Sequence, residues 1–209
     1  MVTGLTAKGA ATRERIVRAA TDLILDRGVG GMTLDEIRAG TATSKSQLFH
    51  YFPGGKSELV AAIAAFQSAR VFEAQRPWIE DLATFESWQG WRDALVAYYH
   101  DQTHKCCSIS ALVNEVAPGD PKLAAAVAGY ADGWHDQLVA GVARLRDAGH
   151  LRPATDSRRL GTAIFATLQG GLLVMQANDS IDALSAALDG ALDMLRFHAA
   201  FDGVPGPAR

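Results

Sequence analysis

Within the first 56 residues, apolar positions recur at helical spacing in three short runs, each stopped by glycine or proline. Residues Thr12 to Arg27 put Ile16, Ala20, Leu23 and Ile24 on one stripe and keep Arg13, Arg15, Arg18 and Asp22 off it. Gly28 supplies the stop, and the stretch to Gly31 supplies the turn. Thr33 followed by Glu36 has capping-box spacing and opens a second helix that buries Leu34 and Ile37. After a short break from Gly40 to Thr43, Ser44 can cap a third helix, Lys45 to Tyr51, which Pro53-Gly54-Gly55 ends. Three short helices with tight turns follow, the second break being the turn of a helix-turn-helix.

Strand signals are almost absent from the rest. A long amphipathic segment, Ser57 to Gln75, turns Leu59, Val60, Ile63, Phe66 and Phe72 inward, and Pro77 closes it. Further helices are predicted near 86–104, 108–117, 121–148, 156–177 and 181–200, with Pro118-Gly119, Gly149 and Pro153 at the breaks. The fold class is therefore all-α: a three-helix head over 10–56 and a helical bundle over 57–201. Segments 1–9 and 202–209 are expected to be flexible tails.

The chain has 209 residues and is 48% hydrophobic, enough for a sizeable core. No unbroken apolar run of about 18 residues occurs, which argues against a membrane span. Met1 to Thr12 lacks the apolar region of a secretion signal, and Cys106 and Cys107, adjacent, are a poor basis for a disulfide framework. A cytoplasmic protein is expected. Net charge is −3, but residues 1–56 carry eight Lys and Arg against five Asp and Glu, leaving 12 against 18 for the remainder. A basic end on an acidic body suits a protein that offers one face to a polyanion.

The segments TRERIVRAATDLILDRGVGGMTLDEI and SKSQLFHYFPGGKSELV resemble the N-terminal domain of the TetR family of transcriptional regulators. Gly28, Thr33, Ile37, Ser44-Lys45, Leu48, His50-Tyr51-Phe52 and Lys56 with Leu59 all fall in register. A short third helix fits the major groove with its N-terminal side chains nearest the base edges, here Ser44, Lys45, Ser46 and Gln47. Lys45 can donate to guanine or to a phosphate, and Gln47 can pair with adenine. The resemblance places His50, Tyr51 and Lys56 at phosphate contacts. Thr33 opens the second helix, where a phosphate is also favoured. Thr33 and Ser44 read equally as helix caps. Leu48, Phe52, Ile37 and Leu59 read as core. Three positions depart from the family: Phe49 stands where a tyrosine is usual, Ala42 where the turn has glycine, and Arg38 where a small residue is common. Arg38 reads as a solvated charge, an ion pair or an extra DNA contact.

The body reads less sharply. Trp88, Trp91, Leu95 and Tyr98 recur on one face of the predicted helix 86–104. With Gln102, Cys107, Leu112, Trp134, Phe165 and Gln169 they are candidate ligand-binding residues for an apolar cavity with a few polar groups; the plainer reading of such an aromatic stripe is core. Cys107-Ser108-Ile109-Ser110-Ala111-Leu112 and Glu115 loosely resemble family members whose pocket takes small aromatic or lipophilic effectors. The helices 158–177 and 181–200 are rich in Ala, Gly and Leu. They carry Leu160, Ile164, Leu168, Leu172 and Met175, then Ile181, Leu184, Leu188, Leu192 and Leu195. Gly161, Gly170, Gly171 and Gly190 permit close helix approach. By the resemblance these helices pair with a second copy in a four-helix bundle and set two heads on a palindromic operator. The implied mechanism is a repressor whose effector lowers DNA affinity by its preference for one of two states.

Alternatives stay open. His100 and His104, spaced i, i+4 near Cys106 and Cys107, suit a soft metal, and Lys105 beside the thiols suits a redox or electrophile sensor. An enzyme on a helical scaffold lacks support: no Gly-rich phosphate loop, nucleophile elbow, HExxH or CxxC occurs. No catalytic residues, resident metal or cofactor are expected; the expected partners are double-stranded DNA, a small effector and a second copy, with no membrane.

Overall fold

The computed structural model describes residues 6–31, 33–101 and 121–200, with only the backbone for 24–31, 122, 123 and 127. Eight α-helices occur among them: α1 Ala7–Gly31, α2 Leu34–Thr41, α3 Lys45–Tyr51, α4 Gly55–Ala74, α5 Phe85–His100, α6 Pro121–Asp147, α7 Ser157–Asn178 and α8 Asp182–Phe197. A 3-10 turn, Trp78–Glu80, precedes α5. The described residues hold no strand, only an isolated antiparallel bridge between Leu151 and Ala199.

Several helix ends differ from the sequence reading: α2 runs through Gly40 to Thr41, α4 starts at Gly55 and α5 ends at His100. The first helix starts at Ala7, inside the expected tail, because the Thr6 hydroxyl accepts the Gly9 N–H at 3.2 Å and caps it. It also runs through Gly28 to Gly31. Glycine costs a helix only about 1 kcal/mol per residue and, unlike proline, keeps its N–H, so it weakens a helix without ending it. The predicted helix 108–117 lies outside the described residues.

Two compact units divide the described chain, one within 1–70 and 106–131, the other within 71–105 and 132–209. The first unit packs Ile16, Val17 and Ala20 of α1 against Ile37 of α2, Leu48 and Phe52 around α3, and Leu59, Val60 and Ile63 of α4. Every one is at most 3% exposed, so Ile37, Leu48, Phe52 and Leu59 are core as read, whereas Leu34, Phe66 and Phe72, read as facing inward, are half-buried.

The second unit is built on tryptophan and leucine. Trp88 and Trp91 of α5 meet edge to face at 5.4 Å, and with Trp134 of α6 they are at most 2% exposed. The buried stripe of α5 ends on Tyr99, leaving Tyr98 half-buried. Three turns from Trp88 span about 10.8 residues, which lands on position 99, one past the predicted Tyr98. Arg92 of α5 forks onto the Asp189 carboxylate of α8 at 2.8 and 3.1 Å. Burial alone would lower the Arg92 pKa, but its hydrogen bonds and attraction to Asp189 and Asp93 outweigh that and raise it.

Helices α7 and α8 pack on each other through the predicted stripes. Leu160, Ile164, Leu168, Leu172 and Met175 are buried, as are Leu184, Leu188, Leu192 and Leu195, while Ile181 is half-buried. A Cβ on Gly161 would stand 2.7 Å from the Val139 Cα, and one on Gly171 would stand 2.6 Å from the Ala187 Cβ. Those two glycines therefore allow close approach inside the subunit, to α6 and α8. Gly170 and Gly190 would meet nothing within 4 Å. By length and composition α7 is the one described helix that could cross a membrane, although it lacks the unbroken apolar run. Its buried stripe is committed to packing against α8, as in a core helix of a globular domain.

Candidate nucleic-acid interface

Two consecutive capping boxes build the interface. The Thr33 hydroxyl accepts the Glu36 N–H at 3.2 Å, and the Glu36 carboxylate accepts the Thr33 N–H at 3.1 Å and its hydroxyl at 2.8 Å. A carboxylate thus already sits at the start of α2, where the sequence pointed to a phosphate. At α3 the Ser44 hydroxyl accepts the Gln47 N–H at 3.1 Å, and the Gln47 side-chain carbonyl accepts the Ser44 N–H at 3.0 Å. A cap donor can face only the oxygen of the amide, so the amide nitrogen of Gln47 is its outward group. Pairing with adenine needs both ends of the amide.

Between the boxes, the turn is held from two directions. Ala42 takes a left-handed conformation, φ 50°, and its N–H returns to the carbonyls of Ala39 and Arg38. Arg15 of α1 donates to the Thr41 carbonyl at 2.6 Å. The buried Thr41 hydroxyl is 2.8 Å from that of Thr43, the residue before the Ser44 cap. Arg15 therefore ties α1 to the turn that aims α3. Nothing in a helical stripe reveals this, because Arg15 reads as one more polar position.

The described side chains of α3 divide cleanly. Leu48 is buried, whereas Lys45, Ser46, Gln47, Phe49 and His50 are exposed. Tyr51 is half-buried and meets the His50 ring at 5.1 Å, and Lys56, half-buried, is the second residue of α4. Arg38 pairs with Asp35 at 2.6 Å, the ion-pair reading among the three. An all-helical unit that caps a seven-residue helix and leaves a polar face on it, one tight turn after α2, is the geometry of a helix-turn-helix.

Two family models match this chain: "Bacterial regulatory proteins, tetR family" over residues 16–63, and "Transcriptional regulator LmrA/YxaF-like, C-terminal domain" over residues 83–189. The chain belongs to the TetR family. As a TetR-family protein it is a DNA-binding transcriptional regulator and not an enzyme. Solved TetR regulators share its fold. One from Chloroflexus aurantiacus matches with a TM-score of 0.77 at 23% identity, over 93% of this chain and 98% of that one. One from Cytophaga hutchinsonii gives 0.79 at 16% identity, over 95% and 100%. One from Agrobacterium tumefaciens gives 0.75 at 22%, over 92% and 100%. At such identities the likeness speaks for the fold alone. No curated protein matches the chain.

The candidate ligand residues of this TetR-family chain fall into three sets. Trp88, Trp91 and Trp134 are packed on all sides, and their indole N–H groups are spent on the Leu82 carbonyl and, for the latter two, on Gln75. Tyr98, Phe165 and Gln169 are half-buried; Phe165 meets the His135 ring edge to face at 5.5 Å. Gln102, Cys107 and Leu112 lie outside the described residues, as do His104, Lys105, Cys106 and Glu115. His100 is exposed at the end of α5, its Nδ1 3.4 Å from Asp101. Among the described residues no group of three or more His, Cys, Asp or Glu side chains is set to hold a metal.

Proposed function

We propose that this chain is a repressor that binds a palindromic operator as a homodimer and is released by a small lipophilic or aromatic effector, in the cytoplasm. The observation that carries the reading is the solvated face of α3, with Lys45, Ser46 and Gln47 in its first turn. Lys45, Ser46 and Gln47 face base edges. Thr33, Ser44, His50, Tyr51 and Lys56 set the register on phosphates, with Thr33 doing so only where Glu36 gives way. Phosphate contacts fix register and base contacts carry sequence.

The dimer reading is supported by what α7 and α8 leave uncovered. Their leucine stripes are consumed within the subunit, yet Leu173, Val174 and Phe197 remain 58, 45 and 74% exposed. A groove of about 660 Å³ lies between the first turns of α7 and the last turns of α8, with Leu160, Ala163, Met194 and Phe197 in its lining. Exposed apolar residues on adjacent helices suit a two-fold contact with the same helices of a second copy. The effector is received by Tyr98, Phe165 and Gln169, which are half-buried. It reaches Trp88, Trp91 and Trp134 only where their packing neighbours move, and then by ring faces, because the indole N–H groups are occupied.

The test is binding of the purified protein to DNA flanking its own gene at two salt concentrations, beside Lys45→Ala and Tyr51→Ala. A footprint with two-fold symmetry that weakens with salt and fails in both variants is expected. Equal binding by both variants would assign the contacts elsewhere on the head.

A further inference from the structure

Phe49 stands out on the interface. Among the described residues four large hydrophobic side chains are exposed, and three of them, Leu173, Val174 and Phe197, lie on α7 and α8. The fourth is Phe49, 41% exposed on α3, one turn after Lys45 and beside the exposed Ser46 and His50. Its ring leans toward the start of α4, where its Cε1 would be 3.8 Å from a Cβ on Gly55. The core of the unit is complete without it: Leu48 and Phe52 fill the inward positions of this segment.

A phenyl ring has neither donor nor acceptor. It cannot bond a phosphate, and it cannot read the N7, O6, N6 or N4 groups of the bases. The major groove offers one apolar feature, the C5 methyl of thymine, which aromatic and aliphatic side chains meet by contact. With α3 seated in the groove, residues one turn apart on the same face address neighbouring positions. We infer that Phe49 is a specificity-determining residue that selects thymine at one position of each operator half-site by packing on its methyl group. The free protein leaves the ring partly in water, and the complex covers it.

This inference rests on the DNA-binding reading of α3, and the test separates the two. The full-length protein first selects its operator from random duplexes. Each thymine of that operator is then replaced singly by deoxyuridine, which removes the methyl and nothing else. For wild type, at least one thymine in each half-site is expected to show about fourfold weaker binding, the value of one buried methyl. Phe49→Ala is expected to bind more weakly and to treat thymine and uracil alike at that position. Phe49→Leu, which keeps apolar surface, is expected to retain part of the discrimination. The unfolding midpoint of Phe49→Ala should match wild type, since the ring is outside the core; should Ala disturb the fold, the Leu variant carries the comparison. Wild type indifferent to uracil at every thymine overturns the inference, as does Phe49→Ala with undiminished sensitivity. A folded wild-type protein that selects no sequence overturns both readings.

Discussion

The side-chain carbonyl of Gln75 accepts the indole N–H of Trp91 at 2.7 Å. The same oxygen accepts Trp134 at 3.2 Å, and the Gln75 amide nitrogen donates to the Val71 carbonyl at 2.7 Å. Gln75 is fully buried, so one amide satisfies two indoles in an otherwise apolar core. Removing it strands both N–H groups, at about 1–3 kcal/mol for each buried unsatisfied group. Gln75→Leu is expected to lower stability by about 3 kcal/mol, read from denaturant unfolding followed by tryptophan emission. An unchanged midpoint would show that the indoles find other acceptors.

Ala42 holds a left-handed backbone, φ 50°, without the freedom of glycine. That conformation costs a residue with a Cβ about 1–2 kcal/mol, part of which glycine returns through its more flexible unfolded chain. Ala42→Gly should therefore raise stability by about 0.5–1 kcal/mol. Differential scanning calorimetry would show the Tm rise. A fall would mean that the unfolded-state cost of glycine wins.

Gln47 serves the Ser44 cap through its oxygen and faces outward with its amide nitrogen. Glutamate can accept the same Ser44 N–H, and a negative charge suits a helix N-terminus by about 0.3–1 kcal/mol. Gln47→Glu is thus expected to leave the unfolding midpoint level or slightly raised while operator affinity falls at least about tenfold, because a donor is lost and a carboxylate meets DNA. Titration of the operator beside a thermal melt separates the two effects. Retained affinity would remove Gln47 from the contact set.

Leu173 is 58% exposed on α7 beside Val174, so a charge there disturbs nothing inside the subunit. Leu173→Glu should shift the protein from dimer to monomer in analytical ultracentrifugation at micromolar concentration, with helicity by circular dichroism preserved. A dimer that survives the substitution would locate the interface away from this face.

Much of this was legible in the residues. The capping pair Thr33 with Glu36, the Ser44 cap, the leucine stripes of α7 and α8, and the core set Ile37, Leu48, Phe52 and Leu59 are all local patterns, and each stands as read. Other features escaped. Gly28 sits inside α1, because a weak helix former yields to its surroundings. Tyr99, not Tyr98, is buried, because one residue of phase accumulates over three turns. Arg15 on the Thr41 carbonyl spans 26 residues, and Arg92 on Asp189 spans 97; neither pairing leaves a trace in spacing.

The sequence by itself determined the described helices to within their ends, the Thr33 and Ser44 caps and the family, since periodicity, cap chemistry and motif register depend on residues a few positions apart. Only the tertiary structure decided which groups are already spent. It packed three tryptophans into the core with every indole N–H bonded, and left Phe49 in solvent. The physical reason is that burial and hydrogen-bond satisfaction depend on what other segments bring to a side chain, and that is fixed when distant helices pack.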